Sequence, residues 1–145
     1  MSEKEIRSIA ERFIREVWSV DGDVAVADEL LAEDYAILGM APGLPWPPTR
    51  EGEKQWAMAF RSALGIRSEV QDVLVDGDRA AIHWKTTGTH KGEIFGVPAT
   101  GKSFTIHGVS LIRVRDGKVV ENRTIADQMG LMQQLGVAPS PGGRG

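Results

Sequence analysis

The chain contains no cysteine, which excludes disulfide bonds, a thiolate nucleophile and thiolate metal ligands. Its 17 Lys and Arg are outnumbered by 20 Asp and Glu, and a net charge of −3 argues against a surface built for nucleic acid or an anionic membrane. No apolar run approaches the ~20 residues of a membrane span, and the N-terminus lacks the apolar stretch of a signal peptide. The sequence therefore predicts a cytoplasmic protein with neither nucleic-acid nor membrane partners.

The length and composition are those of one globular domain. The 145 residues are 41% hydrophobic and 26% charged, which is ordinary for a soluble protein and enough to bury a single core. We expect this domain to span residues 1–136. The last segment, 137–145, is rich in proline and glycine, and we expect it to form a disordered tail.

The first third of the chain has the residue spacing of helices. Segment 2–20 begins with a capping box, and its apolar residues recur at helical intervals. A second, short helix is predicted over 23–31. The stretch 39–49 contains four prolines and predicts a loop. Thr49 is then placed to cap a third helix that stops at Gly65.

From Ile66 onward the apolar period changes to two, which indicates β-strands. Turn signals at 76–78 and 116–117 divide this region into antiparallel hairpins. A short helix over 127–136 follows the last strand. Helices first and an antiparallel meander afterwards predict an α+β fold, in which the helices pack on one face of a curved sheet.

The stretch 96–103 matches the phosphate-binding pattern G-x-x-x-x-G-K-[ST]. A working phosphate loop opens directly into a helix N-terminus, whereas the residues after Ser103 alternate as they do in a strand. Pro98 also removes one backbone N–H from the supposed cradle. We therefore interpret this stretch as a connection between two antiparallel strands and predict no nucleotide site.

Three blocks occur in order along the chain: GTHKGEIFGVPATGK (88–102), GVSLIRVRDGKVVE (108–121) and ADQMGLMQQLG (126–136). With the N-terminal helical segment, they resemble the SnoaL-like polyketide cyclases, or ester cyclases, of the NTF2-like superfamily. The resemblance implies a cone-shaped α+β barrel, commonly a homodimer, with an apolar pocket between the helices and a curved, mostly antiparallel sheet. The best-known members close a ring of an aromatic polyketide by an intramolecular aldol reaction without metal or cofactor. We therefore expect no cofactor here, and a hydrophobic small molecule as substrate.

The resemblance also implies an acidic general acid/base on the last strand, and here the chain departs from the family. Thr124 occupies the acidic position, and Ser110 falls where the cyclases have a pocket histidine. A hydroxyl of ordinary acidity is a poor proton shuttle. Asp127 matches another acidic position of the family and is also well placed as the N-cap of the last helix. We expect Asp127 to move the proton, and the two roles are compatible.

Strand parity sorts the remaining polar candidates. Asn122 and Thr124 share one face, and by the resemblance both line the pocket, where they could hold an oxyanion or a polarised carbonyl. His83 and His107 fall on the opposite face. His90 is a further catalytic candidate that either ties down the loop backbone or reaches the pocket mouth. No pair of histidines has metal-ligand spacing with a carboxylate, so we expect no metal site.

Large aromatic side chains are the candidate ligand-binding surface, together with Ser110 and Asn122. The aromatic candidates are Trp18, Tyr35, Trp46, Trp56 and Trp84. Trp46 lies in the proline-rich loop and has no obvious place in a core. We expect it to act as a lid over the cavity mouth.

The leading hypothesis is a cofactor-independent enzyme that carries out aldol-type cyclisation or isomerisation of a hydrophobic, polyketide-like molecule. Two alternatives stay open. A non-catalytic domain that binds hydrophobic ligands is favoured by Thr124 and Ser110 at the two family positions. Hydration or opening of an epoxide needs an acidic pair, whereas the sequence places only Asp127 for the cavity.

Overall fold

The computed structural model describes residues 2–137 as an α+β fold. Residues 138–145, which make up most of the predicted tail, lie outside the described residues. The helices are α1 Glu3–Arg12, α2 Val26–Leu30, α3 Arg50–Leu64 and α4 Gln128–Gln134. The strands are β1 Leu31–Ile37, β2 Arg67–Asp76, β3 Arg79–Thr89, β4 Ser103–Arg115 and β5 Lys118–Ala126. Within 2–137 no helix combines the length and the apolar character needed to cross a bilayer.

The five strands form one sheet in the order β1-β5-β4-β3-β2. Strands β2 to β5 are an antiparallel meander, which confirms the predicted hairpins. Strand β1 pairs with β5 in parallel, and the sequence analysis missed it by extending the second helix to Leu31. The hydrogen-bond partners of β1 lie in the last strand, which is distant in the sequence, so no turn signal next to β1 indicates its pairing. Its two central charged residues, Glu33 and Asp34, also interrupt the alternation that marks a half-buried strand.

Helices α1, α3 and α4 begin at predicted capping residues, and α3 ends at the predicted glycine, whereas α2 begins at Val26 and not at the predicted Asp23. Ser2 and Glu5 form the capping box of α1. The hydroxyl of Thr49 accepts a hydrogen bond from the backbone N–H of Gly52 at 3.2 Å and caps α3. The same helix ends at Gly65, whose φ of +53° lies in the left-handed region that glycine adopts without strain.

The first helix is shorter than predicted, because α-helical geometry stops at Arg12. A π-helical segment, Phe13–Val17, continues it; such segments widen the backbone turn locally. Phe13, Ile14 and Val17 are all buried. Trp18 directly follows this segment, and Phe13, Ile14 and Trp18 line the same internal cavity.

The sheet has one covered face and one open face. Along β4, Ile106, Gly108, Ser110 and Ile112 are buried, whereas His107, Val109 and Leu111 between them are exposed. This alternation is expected for an antiparallel sheet with helices on one side only. His83 and His107 lie on the open face, where Nε2 of His83 is 2.9 Å from Nδ1 of His107. The parity argument is therefore confirmed for both histidines.

The stretch 96–103 is a loop that leads into a strand, as predicted. Ser103 is the first residue of β4, and Gly96 and Gly101 both have positive φ, at 75° and 71°. A phosphate loop would instead feed a helix at this point. The resemblance to the nucleotide-binding pattern is therefore confined to the letters of the sequence.

Candidate functional site

A cavity of about 460 Å³ lies between the covered face of the sheet and the helices. This volume is in the range of small-molecule sites. Its wall is mostly apolar, and the aromatic side chains that line it are Phe13, Trp18, Trp56, Phe60, Trp84, Phe95 and Phe104. The polar side chains that reach it include Glu53, Ser68, Thr86, Ser110, Asn122 and Thr124. Among the described residues that line the cavity, Glu53 alone carries an ionisable group.

One side of the cavity is a cluster of aromatic rings from α3 and the two flanking loops. The ring of Trp18 meets that of Trp56 edge-on, with centroids 5.7 Å apart. Trp46 does not line the cavity; its ring stacks on Trp56 at 5.6 Å and 10° and meets Phe95 edge-on at 6.2 Å. Trp46 therefore joins the proline-rich loop to the loop that carries Phe95. The proposed lid role of Trp46 remains a prediction.

Glu53 is the most unusual polar residue of the site, because its side chain is almost fully buried, with 2% of its surface exposed. It lies one turn into α3, and its Oε1 accepts a hydrogen bond of 2.5 Å from the phenol of Tyr35 on β1. Burial raises the pKa of Glu53 from its ordinary 4.5 to about 7. Hydrogen bonds from Tyr35, Trp18 and Asn122 oppose that shift without cancelling it.

Tyr35 supports Glu53 from behind the cavity wall. It is 2% exposed and does not itself line the cavity. Burial and the neighbouring charge of Glu53 raise the pKa of Tyr35 well above its ordinary value. The phenol therefore stays protonated and acts as a permanent hydrogen-bond donor to the carboxyl group.

A second group of polar side chains crosses the sheet from β3 to β5. The indole Nε1 of Trp84 donates to Oγ of Ser110 at 3.0 Å. Ser110 Oγ and Thr124 Oγ1 are 3.0 Å apart, and Thr124 Oγ1 donates to Oδ1 of Asn122 at 3.3 Å. Asn122 lines the same cavity as Glu53, and its side chain acts to lower the pKa of that carboxyl group. The four side chains share the inner face because β4 and β5 place Ser110 opposite Thr124.

The structure brings most of the predicted ligand-binding residues to the cavity. Asn122, Ser110, Trp84, Trp18 and Trp56 line it, as does the catalytic candidate Thr124. Tyr35 and Trp46 lie one layer behind the wall, in contact with residues that do line it. His90 and Asp127 are not among the lining residues.

Asp127 lies outside the cavity and caps α4. Its Oδ1 accepts a hydrogen bond from the backbone N–H of Gly130 at 2.8 Å, and the residue is exposed. Asp127 is not among the residues that line the cavity, although its neighbours Ala126 and Gln128 are. The expectation that Asp127 is the acidic residue placed for the cavity is therefore wrong, and that place belongs to Glu53.

His90 is a structural residue of the loop that follows β3. It is fully buried, its Nδ1 lies 3.0 Å from Oγ1 of Thr100, and its backbone exchanges hydrogen bonds with Gly101 and Lys102. Of the two roles left open for His90, the structure supports tying down the backbone. It does not support contact with the cavity.

The sequence analysis missed Glu53, although its spacing contains a signal. Glu53, Ala57, Phe60 and Leu64 recur at intervals of four, three and four residues, and all four are buried. A glutamate in register with the apolar face of a helix is a candidate buried carboxyl. The neighbouring charges Glu51 and Lys54 obscure this signal, because the stretch REGEKQW is typical of a solvent-exposed helix start.

No three histidine, aspartate or glutamate side chains in the described part of the chain converge as metal ligands would. The groups that the cavity offers for chemistry are Glu53 and neutral hydrogen-bonding side chains. Besides the acid of raised pKa, they include the amide of Asn122, the hydroxyls of Ser110 and Thr124, and the indole N–H groups of Trp18 and Trp84. Together they form an apolar site with a single proton-transfer group.

Comparison with known proteins assigns the family. The model of the SnoaL-like polyketide cyclase family matches residues 8–135. The chain belongs to this family. Aklanonic acid methyl ester cyclase DnrD from Streptomyces peucetius is 42% identical to it over 57 residues, which is 39% of each chain. The match thus spans about two fifths of the length of that relative.

Solved structures extend the likeness to the whole fold. TsrD from Streptomyces laurentii superposes with a TM-score of 0.82 at 23% identity, over 94% of this chain and 98% of that one. IdmH from Streptomyces antibioticus is 33% identical, with a TM-score of 0.73 over 92% of this chain and 97% of that one. These likenesses confirm the predicted NTF2-like α+β architecture.

The capping role of Asp127 leads to a stability prediction. We expect Asp127→Ala to lower the free energy of unfolding by about 1 kcal/mol, because Gly130 loses its side-chain acceptor. Asp127→Asn should cost less, since asparagine is also a good N-cap. Urea denaturation measures both. Neither variant should change the pH dependence of chemistry in the cavity, and an altered pH profile in a fully folded Asp127→Asn would return Asp127 to the list of acid/base candidates.

Proposed function

We propose that this SnoaL-like protein is an enzyme that carries out cofactor-independent acid/base chemistry, an aldol-type ring closure, with Glu53 as the group that moves the proton. The observation that supports this proposal is the position of Glu53. Its carboxyl reaches an apolar cavity, and a pKa of about 7 allows it to accept and return a proton near neutral pH. Membership of a cyclase family supports the reaction class.

In the proposed reaction, ionised Glu53 removes a proton from a ligand carbon adjacent to a carbonyl, and the C–H electron pair becomes an enolate. The enolate carbon attacks a second carbonyl carbon of the same molecule. A C–C bond forms, and the carbonyl π pair moves to its oxygen. That oxygen takes the proton back from Glu53, so the carboxylate is restored and the product is a ring isomer of the ligand. Because Tyr35 holds Oε1, the proposed exchange uses Oε2.

The wall of the cavity supports an uncharged, flat and apolar ligand. Indole and phenyl rings of Trp18, Trp56 and Phe60 offer broad faces for stacking. The described lining residues include no lysine, arginine or histidine, so a free carboxylate would meet Glu53 without a counter-ion. An ester such as the one named in the DnrD relative would avoid that repulsion.

The polar residues of the cavity also bear on the two alternative functions, ligand binding without catalysis and hydration of an epoxide. A binding-only domain is favoured by Thr124 and Ser110, which replace the acid and the histidine of the best-known cyclases, but Glu53 supplies a proton-transfer group elsewhere in the cavity. Hydration of an epoxide needs two acidic groups to position water, and Glu53 is the single carboxyl among the described lining residues. Cyclisation or isomerisation is therefore the better supported proposal.

Glu53→Gln tests the assignment, because it removes the ionisable proton and keeps the side-chain volume. With aklanonic acid methyl ester as the trial substrate, we expect turnover to fall by roughly 10²–10⁴-fold. The affinity of Glu53→Gln for the ester, measured by quenching of tryptophan fluorescence, should change little. In the parent protein kcat/KM should rise with pH through about 7, since the base must be ionised.

Two results would count against this account. Parental turnover by Glu53→Gln would contradict the role of Glu53. Saturable binding of the ester by the parent protein, without turnover at any pH from 5 to 9, would favour the binding-only alternative. Asp127→Asn, a substitution at the N-cap of α4, serves as the matched control because it removes a carboxylate outside the cavity.

We also propose that the protein forms a homodimer through the open face of the sheet. Strand registers place Leu74, Ala81 and Leu111 in one row across β2, β3 and β4. Val109 and Ile125 are neighbours in the next row. Leu74, Leu111 and Ile125 are 65%, 45% and 65% exposed. Such a patch of large apolar side chains on a sheet is typical of a protein interface.

Leu111→Glu tests the proposed dimer, because it places a charge at the centre of this patch. We expect the parent protein to have twice the chain mass by light scattering after size-exclusion chromatography, and Leu111→Glu to have the mass of one chain. Met58→Glu is the matched control, since Met58 is 49% exposed on α3, away from the sheet. A monomeric parent, or a dimer that persists in Leu111→Glu, would rule out this interface.

A further inference from the structure

The hydrogen-bonded group on β3, β4 and β5 has a fixed direction. An indole N–H is a donor and never an acceptor, so the oxygen of Ser110 must accept from Trp84. At the other end, Thr124 gives its single hydroxyl hydrogen to Oδ1 of Asn122. The remaining hydrogen bond, between the two hydroxyls, therefore runs from Ser110 to Thr124.

This direction decides which way the Asn122 amide faces. Because Oδ1 is occupied as the acceptor for Thr124, the NH₂ group is the part of the amide that is left for other partners. Asn122 is 3% exposed and lines the same cavity as Glu53, whose pKa the Asn122 side chain acts to lower. A reversed amide would place two oxygen acceptors against each other at the carboxylate.

We propose that Trp84, Ser110 and Thr124 are positioning residues, whose one-way hydrogen bonds hold the NH₂ group of Asn122 toward Glu53 and toward a ligand oxygen in the cavity. The ligand-directed half of this proposal rests on the acid/base function proposed above. The part that concerns Glu53 is independent of that function, because it describes the protein without ligand.

A consequence concerns the oxyanion. The hydroxyl hydrogens of Ser110 and Thr124 are both used within the protein, so these residues can accept a hydrogen bond from a ligand but cannot donate one. A ligand oxygen that gains negative charge needs donors. Asn122 supplies them, and Thr124 acts through Asn122 instead of touching the charged oxygen. The expectation that Thr124 itself stabilises an oxyanion is therefore replaced by a positioning role.

The groups that face Glu53 allow this positioning to be measured. Tyr35 on β1 is its titratable neighbour, whereas Trp18 and Asn122 are neutral donors. The other charged residues of α3 have partners of their own. Arg50 and Lys54 pair with Asp28, Glu51 pairs with Lys54, and Arg61 donates to the backbone carbonyls of Val20 and Gly22. The ionisation of Glu53 therefore reports on the donors that reach it, and loss of the Asn122 donor should make the carboxylate less favourable.

The experiment is a ¹³C NMR titration of the Glu53 carboxyl in the full chain without ligand, with the signal assigned by its absence in Glu53→Gln. Thr124→Val removes the hydroxyl at constant shape and frees the Asn122 amide to rotate. We expect the Glu53 pKa to rise by about one pH unit. Trp84→Phe, which removes the N–H at the start of the series by replacing the indole with a smaller phenyl ring, should move it in the same direction. Thr124→Ser, which keeps the hydroxyl, should restore the parental titration.

Thr86→Val is the matched control. Thr86 lines the same cavity on the strand that carries Trp84, but its hydroxyl pairs with Ser68 at 2.7 Å and belongs to a separate group. We expect its Glu53 titration to equal that of the parent. The proposal is overturned if Thr124→Val and Trp84→Phe both titrate like the parent, or if Thr86→Val shifts the pKa as far as they do. These outcomes do not depend on whether any ester is turned over, so they are separable from failure of the proposed reaction.

Discussion

The hydrogen bond between Tyr35 and Glu53 is the interaction on which the candidate site depends. A carboxyl group buried in an apolar wall is costly unless it is neutral or well hydrogen-bonded. Tyr35 supplies a donor at 2.5 Å, and burial keeps the group close to half-protonated at neutral pH. The pair also joins two elements, since Tyr35 belongs to β1 and Glu53 to α3. The parallel pairing of β1 with β5 thus determines where the acid lies relative to the sheet.

This arrangement places the acid on a different wall from the one the family resemblance implied. The last strand carries hydroxyl and amide groups at Thr124 and Asn122, and the proposed proton-transfer group, Glu53, comes from α3. The strand residues then serve as hydrogen-bond donors and positioning groups for the helix residue. One apolar cavity therefore combines a tunable carboxyl with preorganised neutral dipoles, the combination that proton-transfer chemistry near neutral pH requires.

Local patterns in the sequence predicted the parts of the fold that depend on local physics. The capping box at Ser2, the cap at Thr49, the hairpin turns and the alternation along β3 and β4 are all found as expected. Strand β1 was missed because its partner is distant in the sequence. The missing strand also explains why Glu53 was not predicted. Without β1 there was no reason to place Tyr35 next to α3, and Glu53 resembled the solvated charges around it. Asp127 looked catalytic by its position in the family pattern, but its orientation was decided by the N–H groups of α4.

The account is tested most directly by the pH dependence of folding stability in the parent protein and in Glu53→Gln. The folded-state pKa of Glu53, about 7, lies above its ordinary 4.5, so the folded state holds its proton more tightly than the unfolded state. The stability of the parent relative to Glu53→Gln is therefore greatest below pH 4.5. Urea denaturation should show it falling by roughly 3 kcal/mol as the pH rises from 4.5 to above 7, and then levelling off. A difference that stays constant across this range would mean that Glu53 titrates as an ordinary exposed carboxyl, and would contradict its role as the buried acid of the site.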